Sequence, residues 1–192
     1  MNEDLKYRKA EPADAERIME IIRQAQAQMR ALGSRQWQDG YPERADIDRD
    51  IARGYGYVFE KSDAAEEPAS AGTPQKYDKG TVPGGVIAYG AVVFDGEPAY
   101  GAIDGAWLTG GDYVVLHRLA VADGEKGRGV AAEFMRRTEA LARGRGVGSF
   151  RVDTNFDNRY MLRMLERLRF AYCGKIIYES GERLAFEKPF EA

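Results

Sequence analysis

Val114-Val115-Leu116-His117-Arg118-Leu119-Ala120-Val121 is followed by Ala122-Asp123-Gly124-Glu125-Lys126-Gly127-Arg128-Gly129 and then by Val130-Ala131-Ala132-Glu133-Phe134. An apolar strand runs into a polar, glycine-bearing turn, and the turn opens into an amphipathic helix, expected over Arg128 to about Gly144. Such a turn presents free backbone N–H groups at the positive end of a helix dipole, a ready site for phosphate. Gly127 and Gly129 lack Cβ atoms, so a pyrophosphate can approach the main chain closely. Lys126 and Arg128 add positive charge at the same place. The first functional expectation is a phosphate-bearing ligand at residues 124–131.

Two common phosphate sites fit poorly. A nucleoside-triphosphate loop needs Lys-Ser or Lys-Thr after its last glycine, and Val130-Ala131 stand there instead. A dinucleotide fingerprint, G-x-G-x-x-A, is met by Gly127, Gly129 and Ala132, with Asp153 placed 24 residues after Gly129 for a ribose. Its glycines should follow the strand at once, however, and five residues (Ala122 to Lys126) intervene. Too little chain follows Asp153 for further strand–helix units. A dinucleotide-dependent oxidoreductase is therefore the weakest of the functional readings.

Outward from this stretch the chain reads as α+β. Leu5 to Arg8 is a short strand. A helix follows Pro12, with Ile18, Ile22, Ala25, Met29 and Leu32 on one face, and Gly33 stops it. A second helix is expected from Asp46, as capping residue, to Gly54. Tyr55 to Glu60 and Gly85 to Phe94 are extended, and Gly101 to Leu108 is a further candidate strand. Residues 61–84, rich in Ser, Ala, Glu, Gly, Pro and Lys, read as a flexible insert within a single domain spanning 1–192. Ser149 to Asp153 should pair in parallel with 113–121, because a helix connects them. A last helix carries Met161, Leu162, Leu165 and Leu168. A hairpin, Tyr172 to Tyr178 and Arg183 to Glu187, closes the chain.

The chain has 192 residues, 44% of them hydrophobic and 31% charged, with a net charge of −3. That is the make-up of a globular domain with a substantial core, and it offers a nucleic-acid partner no overall attraction. No apolar run approaches the roughly 20 residues of a membrane span, and the N-terminus lacks a signal-peptide core, so a cytoplasmic location is expected. One histidine and one cysteine argue against both a disulfide and a His/Cys metal site.

Residues 113–188 resemble the acetyl-CoA-binding half of the GNAT acetyltransferase superfamily. That family carries Q/R-x-x-G-x-G/A after a strand ending in an apolar residue. Here Val121 ends the strand and Gly124, Gly127 and Gly129 take the signature positions, Gly124 departing from the usual Arg or Gln. Arg151-Val152-Asp153-Thr154, Asn158, Met161 and Phe170 continue the likeness, as in a bacterial subgroup, and Trp37-Gln38 with Tyr41-Pro42 extend it towards the N-terminus. The resemblance implies a central, mostly antiparallel mixed sheet with one splayed parallel strand pair, flanked by about four helices. It implies acetyl-CoA along Leu119, Ala120 and Val121, at Lys126, Gly127, Arg128, Gly129, Val130 and Ala131, and at Asn158 on the pantetheine arm. It also implies N-acetylation of a small-molecule or peptide amine by direct attack, without a metal. A homodimer stays open.

A lysine-like amine has a pKa near 10.4, so its deprotonation at pH 7 corresponds to roughly 4–5 kcal/mol. A base is the main requirement. His117 is the best candidate, expected on one strand face with Leu119 and Val121 and carrying an imidazole whose ordinary pKa of about 6.5 suits the task. The family's acid, a Tyr seven residues after the helix Asn, is replaced by Leu165. Tyr160 should face elsewhere, which leaves Tyr178, Tyr172 or unassisted departure. Cys173 reads as a core thiol. Asp153 and Thr154 are expected to orient the last helix rather than to act in catalysis. The acceptor pocket is expected among Trp37, Tyr41, Tyr100 and Trp107. The acids Asp39, Glu43, Asp46, Asp48 and Asp50 would favour a cationic amine. The replaced Tyr and Gly124 also suit a non-catalytic acyl-CoA-binding module.

Overall fold

The computed structural model describes residues 5–61 and 85–191. Within them eight strands form one sheet: β1 (Leu5–Lys9), β2 (Gly56–Lys61), β3 (Gly85–Val93), β4 (Asp104–Gly105), β5 (Tyr113–Val121), β6 (Ser149–Thr154), β7 (Ala171–Tyr178) and β8 (Gly181–Pro189). The order across the sheet is β1-β2-β3-β5-β6-β8-β7-β4. Every pairing is antiparallel except β5 with β6. The helices are α1 (Ala15–Ala31), α2 (Arg44–Ala52), α3 (Val130–Gly144) and α4 (Arg159–Arg167). The expected α+β architecture is the observed one. The proposed insert lies almost wholly outside the described residues.

The apolar periodicity decides which helix covers which face. Val130, Phe134, Met135 and Ala142 of α3 bury against Val114, Leu116 and Val121 of β5 and Phe150 and Val152 of β6. On the other face Ile18, Ile21, Ile22 and Ala25 of α1 and Ile47 of α2 pack on Val58, Tyr89 and Ala120. A third cluster, Val93, Tyr100, Val115, Ile176 and Ala185, lies towards the β7–β8 end. Phe134 is fully buried, and truncating a phenylalanine in such a position costs about 3–5 kcal/mol.

Three local expectations are corrected. The second helix starts at Arg44, because Glu43 and Asp46 form a reciprocal capping box; Asp46 is the third helical residue, its carboxylate accepting the Glu43 N–H at 3.0 Å. α3 starts at Val130, because Gly129 has a left-handed φ of +80° that helix interior residues do not adopt. Residues 101–108 are not a strand: Pro98–Ala102 is a 3-10 turn, and only Asp104–Gly105 pair with β7. Gly105 (φ +142°) and Gly174 (φ +140°) bring the two backbones so close that a Cβ on either would lie 2.2 Å from a carbonyl oxygen of the other segment.

Candidate active site

β5 and β6 pair only over Tyr113–Val115 and Ser149–Arg151. Beyond that, β5 stays with β3 as far as Val121, while β6 stays with β8 as far as Thr154. The strands therefore part into a wedge, and the β5 edge from Leu116 to Val121 has no strand partner on the β6 side among the described residues. Backbone N–H and C=O groups on such an edge require partners. At the end of β6, Thr154 Oγ1 and Asn155 Oδ1 are buried without a hydrogen-bond partner among the described residues.

The glycine turn closes the wide end of β5. Gly127 (φ +77°) and Gly129 (φ +80°) hold left-handed conformations, and a Cβ at either would meet no described atom within 4 Å. Among the described residues the turn thus leaves open space over the first N–H groups of α3, and no side chain caps that N-terminus. The cations are less free than the sequence suggests. Lys126 pairs with Asp123, Arg128 Nη1 lies 3.4 Å from Glu125, and Lys61 reaches the same Glu125 at 3.2 Å. Any anion affinity here rests mainly on the backbone.

Leu119, Val121, Val130 and Ala131 turn their side chains to the α3 core and Ala120 turns to the α1 core, so what they offer the wedge is main chain. Asn158 caps α4, its Oδ1 accepting the Met161 N–H at 3.2 Å, and its amide donates to Gln36 Oε1 at 3.3 Å. Ser34 Oγ donates to Asp157 Oδ1 at 2.9 Å beside it. Residues 34–36 are thereby tied to the start of α4.

His117 does not share a face with Leu119 and Val121. From Ala91↔His117 to Tyr89↔Ala120 the register gains one residue on β5, and Arg118 takes a positive φ of +56°. This β-bulge puts His117 and Arg118 on the same side of the sheet, away from α3. Arg118 is locked there by Asp50 of α2, with Nε at 2.8 Å and Nη2 at 2.6 Å, while Tyr89 donates to the same carboxylate at 2.6 Å and Arg118 donates to the Tyr41 hydroxyl.

The bulge delivers His117 into a cluster that sequence reasoning did not assemble. Its Nε2 lies 3.1 Å from Glu97 Oε2, and its Nδ1 lies 4.0 Å from Asp153 Oδ1. Glu97 Oε1 accepts the Ala99 N–H at 3.2 Å. The hydrogen bond with His117, opposed by partial burial, holds the Glu97 carboxyl below its usual range. Asp153 Oδ1 accepts from Tyr100 at 2.7 Å and from Tyr178 at 3.3 Å. Burial, reinforced by the Asp153 charge, raises both phenols well above their ordinary value, so they stay protonated donors. Asp153 faces this cluster rather than orienting α4, a helix that Asn158 caps for itself. Nothing local to Glu97-Pro98 signals a histidine 20 residues away.

The remaining candidates separate cleanly. Tyr178 reaches the cluster, whereas Tyr172 is exposed and packs on Phe186, Tyr160 is exposed, and Leu165 is fully buried. Burial pushes the Cys173 thiol up, which suits a core residue. Trp107 donates to the Tyr100 carbonyl at 2.9 Å and packs under Arg151, Tyr100 is buried, and Trp37 packs against the α1 core, so the aromatic residues mostly frame the site rather than line an open pocket. The acids of the 39–50 segment are largely committed: Glu43 and Asp46 to the cap, Asp48 to Arg44 at 2.8 Å and Asp50 to Arg118. The carboxylates that face His117 are Glu97 and Asp153. Among the described residues no cluster of His, Cys, Asp and Glu is placed to hold a metal ion, and no helix is long and apolar enough to cross a membrane.

The model of the acetyltransferase (GNAT) family matches residues 27–170. The chain belongs to the GNAT acetyltransferase family. A GNAT-family acetyltransferase from Streptococcus agalactiae is 32% identical over 99% of this chain and 98% of its own, with a TM-score of 0.79. One from Listeria monocytogenes is 18% identical, with coverage of 97% and 95% and a TM-score of 0.68. A chain of the NatC complex bound to Gag peptide and CoA is 12% identical, with coverage of 98% and 99% and a TM-score of 0.63; these last two show a shared fold. No curated protein matches the sequence. GNAT membership makes the chain an acyltransferase that draws on acetyl-CoA, and the β5–β6 wedge is its candidate active site.

Proposed function

We propose that the protein is an N-acetyltransferase that moves the acetyl group of acetyl-CoA directly to a primary amine, with His117 as the base. The observation that carries this reading is His117 between Glu97 and Asp153, delivered by the Arg118 bulge to the mouth of the wedge. The residues present fit acetyl-CoA. Gly127, Gly129 and the uncapped N-terminus of α3, beginning at Val130 and Ala131, would hold the pyrophosphate through backbone N–H groups. The unpartnered β5 edge at Leu119, Ala120 and Val121 would bond the pantetheine amides. Asn155 Oδ1, buried and without a partner among the described residues, would offer that arm an acceptor, and Asn158 caps the start of α4 three residues on.

Acetyl-CoA supplies a thioester carbonyl, an electrophile that needs no protein nucleophile. His117 removes a proton from the acceptor, the step that corresponds to roughly 4–5 kcal/mol for a lysine-like amine at pH 7. Glu97 stabilises the resulting imidazolium. A thiol with a pKa near 8.5 leaves with little need of an acid, consistent with a buried Leu165 on α4 and with Tyr178 committed to Asp153. The test is thiol release from acetyl-CoA in the presence of a panel of primary amines, followed by mass spectrometry of the products. Release coupled to N-acetylation supports the proposal. Tight acetyl-CoA binding without release in any of them would instead favour the acyl-CoA-binding module.

A further inference from the structure

We propose that Asp153 is the anchor for the acceptor's ammonium group, and that Glu97 fixes the tautomer of His117 so that Nδ1 receives the proton. The proposal rests on the amine-acetylation reading. A carboxylate only accepts, so the 3.1 Å contact with Glu97 Oε2 places the hydrogen of the neutral imidazole on Nε2 and leaves Nδ1 a bare lone pair. Nδ1 lies 4.0 Å from Asp153 Oδ1, and no described residue donates a hydrogen to that nitrogen. Asp153 Oδ1 already takes two phenolic hydrogens, from Tyr100 and Tyr178, while Oδ2 takes none from the described residues.

The missing complement is a group with at least two N–H donors. An ammonium nitrogen beside Nδ1 would donate one hydrogen to that lone pair and another to the Asp153 carboxylate, whose Oδ2 is open among the described residues. Charge selects a cation over a neutral donor. The Asp153 carboxylate faces the spot, Glu97 holds the opposite edge of the same imidazole, and the Arg118 guanidinium is neutralised by bidentate pairing with Asp50. Tyr100 and Tyr178 are protonated and add no charge. His117 and Asp153 side chains keep 19% and 11% of their surface exposed, so the position is reachable.

The protons and electrons balance. His117 Nδ1 takes one proton from the bound ammonium, and the nitrogen lone pair so freed forms the C–N bond to the acetyl carbon. The C–S bond breaks with its electron pair going to sulfur, and the second proton lost from the nitrogen goes to that sulfur. The imidazolium then returns its proton to solvent. The acceptor class is thus a protonated primary amine rather than an aromatic amine or an alcohol.

His117 is the single histidine of the chain, so its imidazole resonances report directly on the site. Nitrogen-15 NMR of the full chain above neutral pH should show the Nε2–H tautomer. Titration with n-butylammonium chloride, at ionic strength fixed with sodium chloride, should shift those resonances saturably, and n-butanol should not. Asp153→Asn retains the Oδ1 acceptor for both tyrosines and should weaken the ammonium affinity at least tenfold. An Nδ1–H tautomer, an absent or non-selective shift in the wild type, or an unchanged affinity in Asp153→Asn would overturn the proposal. Should Asp153→Asn not fold, the wild-type tautomer and the cation selectivity decide. Ammonium binding without thiol release would keep the anchor and refute the enzyme reading. Thiol release with an unchanged amine KM in Asp153→Asn would refute the anchor alone.

Discussion

Replacing Asp50 by Ala removes the group that holds the β5 bulge. Asp50 and Arg118 side chains are 5% and 15% exposed, and the pair is bidentate, with contacts of 2.8 and 2.6 Å. Breaking a buried pair by deleting one partner costs about 3–5 kcal/mol, because the remaining charge is left without compensation. Tyr89, fully buried, also loses the acceptor of its hydroxyl at 2.6 Å, adding roughly 1 kcal/mol or more. At about 2–4 °C per kcal/mol for a chain of this size, Tm should fall by about 8 °C or more. Urea denaturation monitored by circular dichroism measures the free energy, and calorimetry measures Tm. The double variant Asp50→Leu/Arg118→Met should recover most of the loss, since two matched apolar groups leave no buried charge. A loss below about 1 kcal/mol in Asp50→Ala would show that the ion pair does not hold the bulge.

Gly129→Val should weaken acetyl-CoA binding at least tenfold, about 1.4 kcal/mol, by calorimetric titration; the open space at this position means the effect arises on the ligand side and from forcing a β-branched residue to φ +80°. Unchanged affinity in the folded variant would move the cofactor away from this turn. Lys126→Ala and Arg128→Ala should each change that affinity by less than about threefold, since both cations are already paired with Asp123 and Glu125; a larger loss would show that they leave those partners for phosphate. Glu187 is buried, which alone would raise its carboxyl, but donors from Thr109 at 2.6 Å, Ser149 at 2.7 Å and Arg151 at 3.0 Å hold it below its usual range. Its contribution is therefore fully present above the unfolded value of about 4.3 and is lost as pH falls through the lower folded value. Urea midpoints measured from pH 7 to 3 should fall at the acid end, and Glu187→Gln should be less stable at pH 7 with a shallower acid slope; parallel curves would contradict this.

The parts of the molecule that could be read from sequence are those fixed by neighbours along the chain. Val121, Gly127 and Gly129 announce a strand, a left-handed turn and a helix within nine residues, and a single helix between two apolar strands favours a parallel pair. The His117 cluster is fixed otherwise. Arg118 adopts φ +56° with no glycine to advertise it, because Asp50, 68 residues away, grips its guanidinium. Strict alternation along β5 therefore misplaced His117 relative to Leu119. Glu97 and Asp153 reach His117 from a 3-10 turn and from the far side of the wedge, distances that no local pattern encodes. The apolar residues of 101–108 carry the pattern of an extended segment, but only Asp104–Gly105 pair with β7, where Gly105 and Gly174 approach closely.

The most direct test of the account is the steady-state acetylation of a primary amine by wild-type protein and by His117→Gln, with acetyl-CoA affinity measured in parallel. The account predicts that kcat/KM falls at least about a hundredfold, the loss of a general base. The acetyl-CoA dissociation constant should stay within about twofold, because the proposed pyrophosphate contacts of the glycine turn do not involve the imidazole. A folded His117→Gln protein that acetylates the amine at the wild-type rate would contradict it.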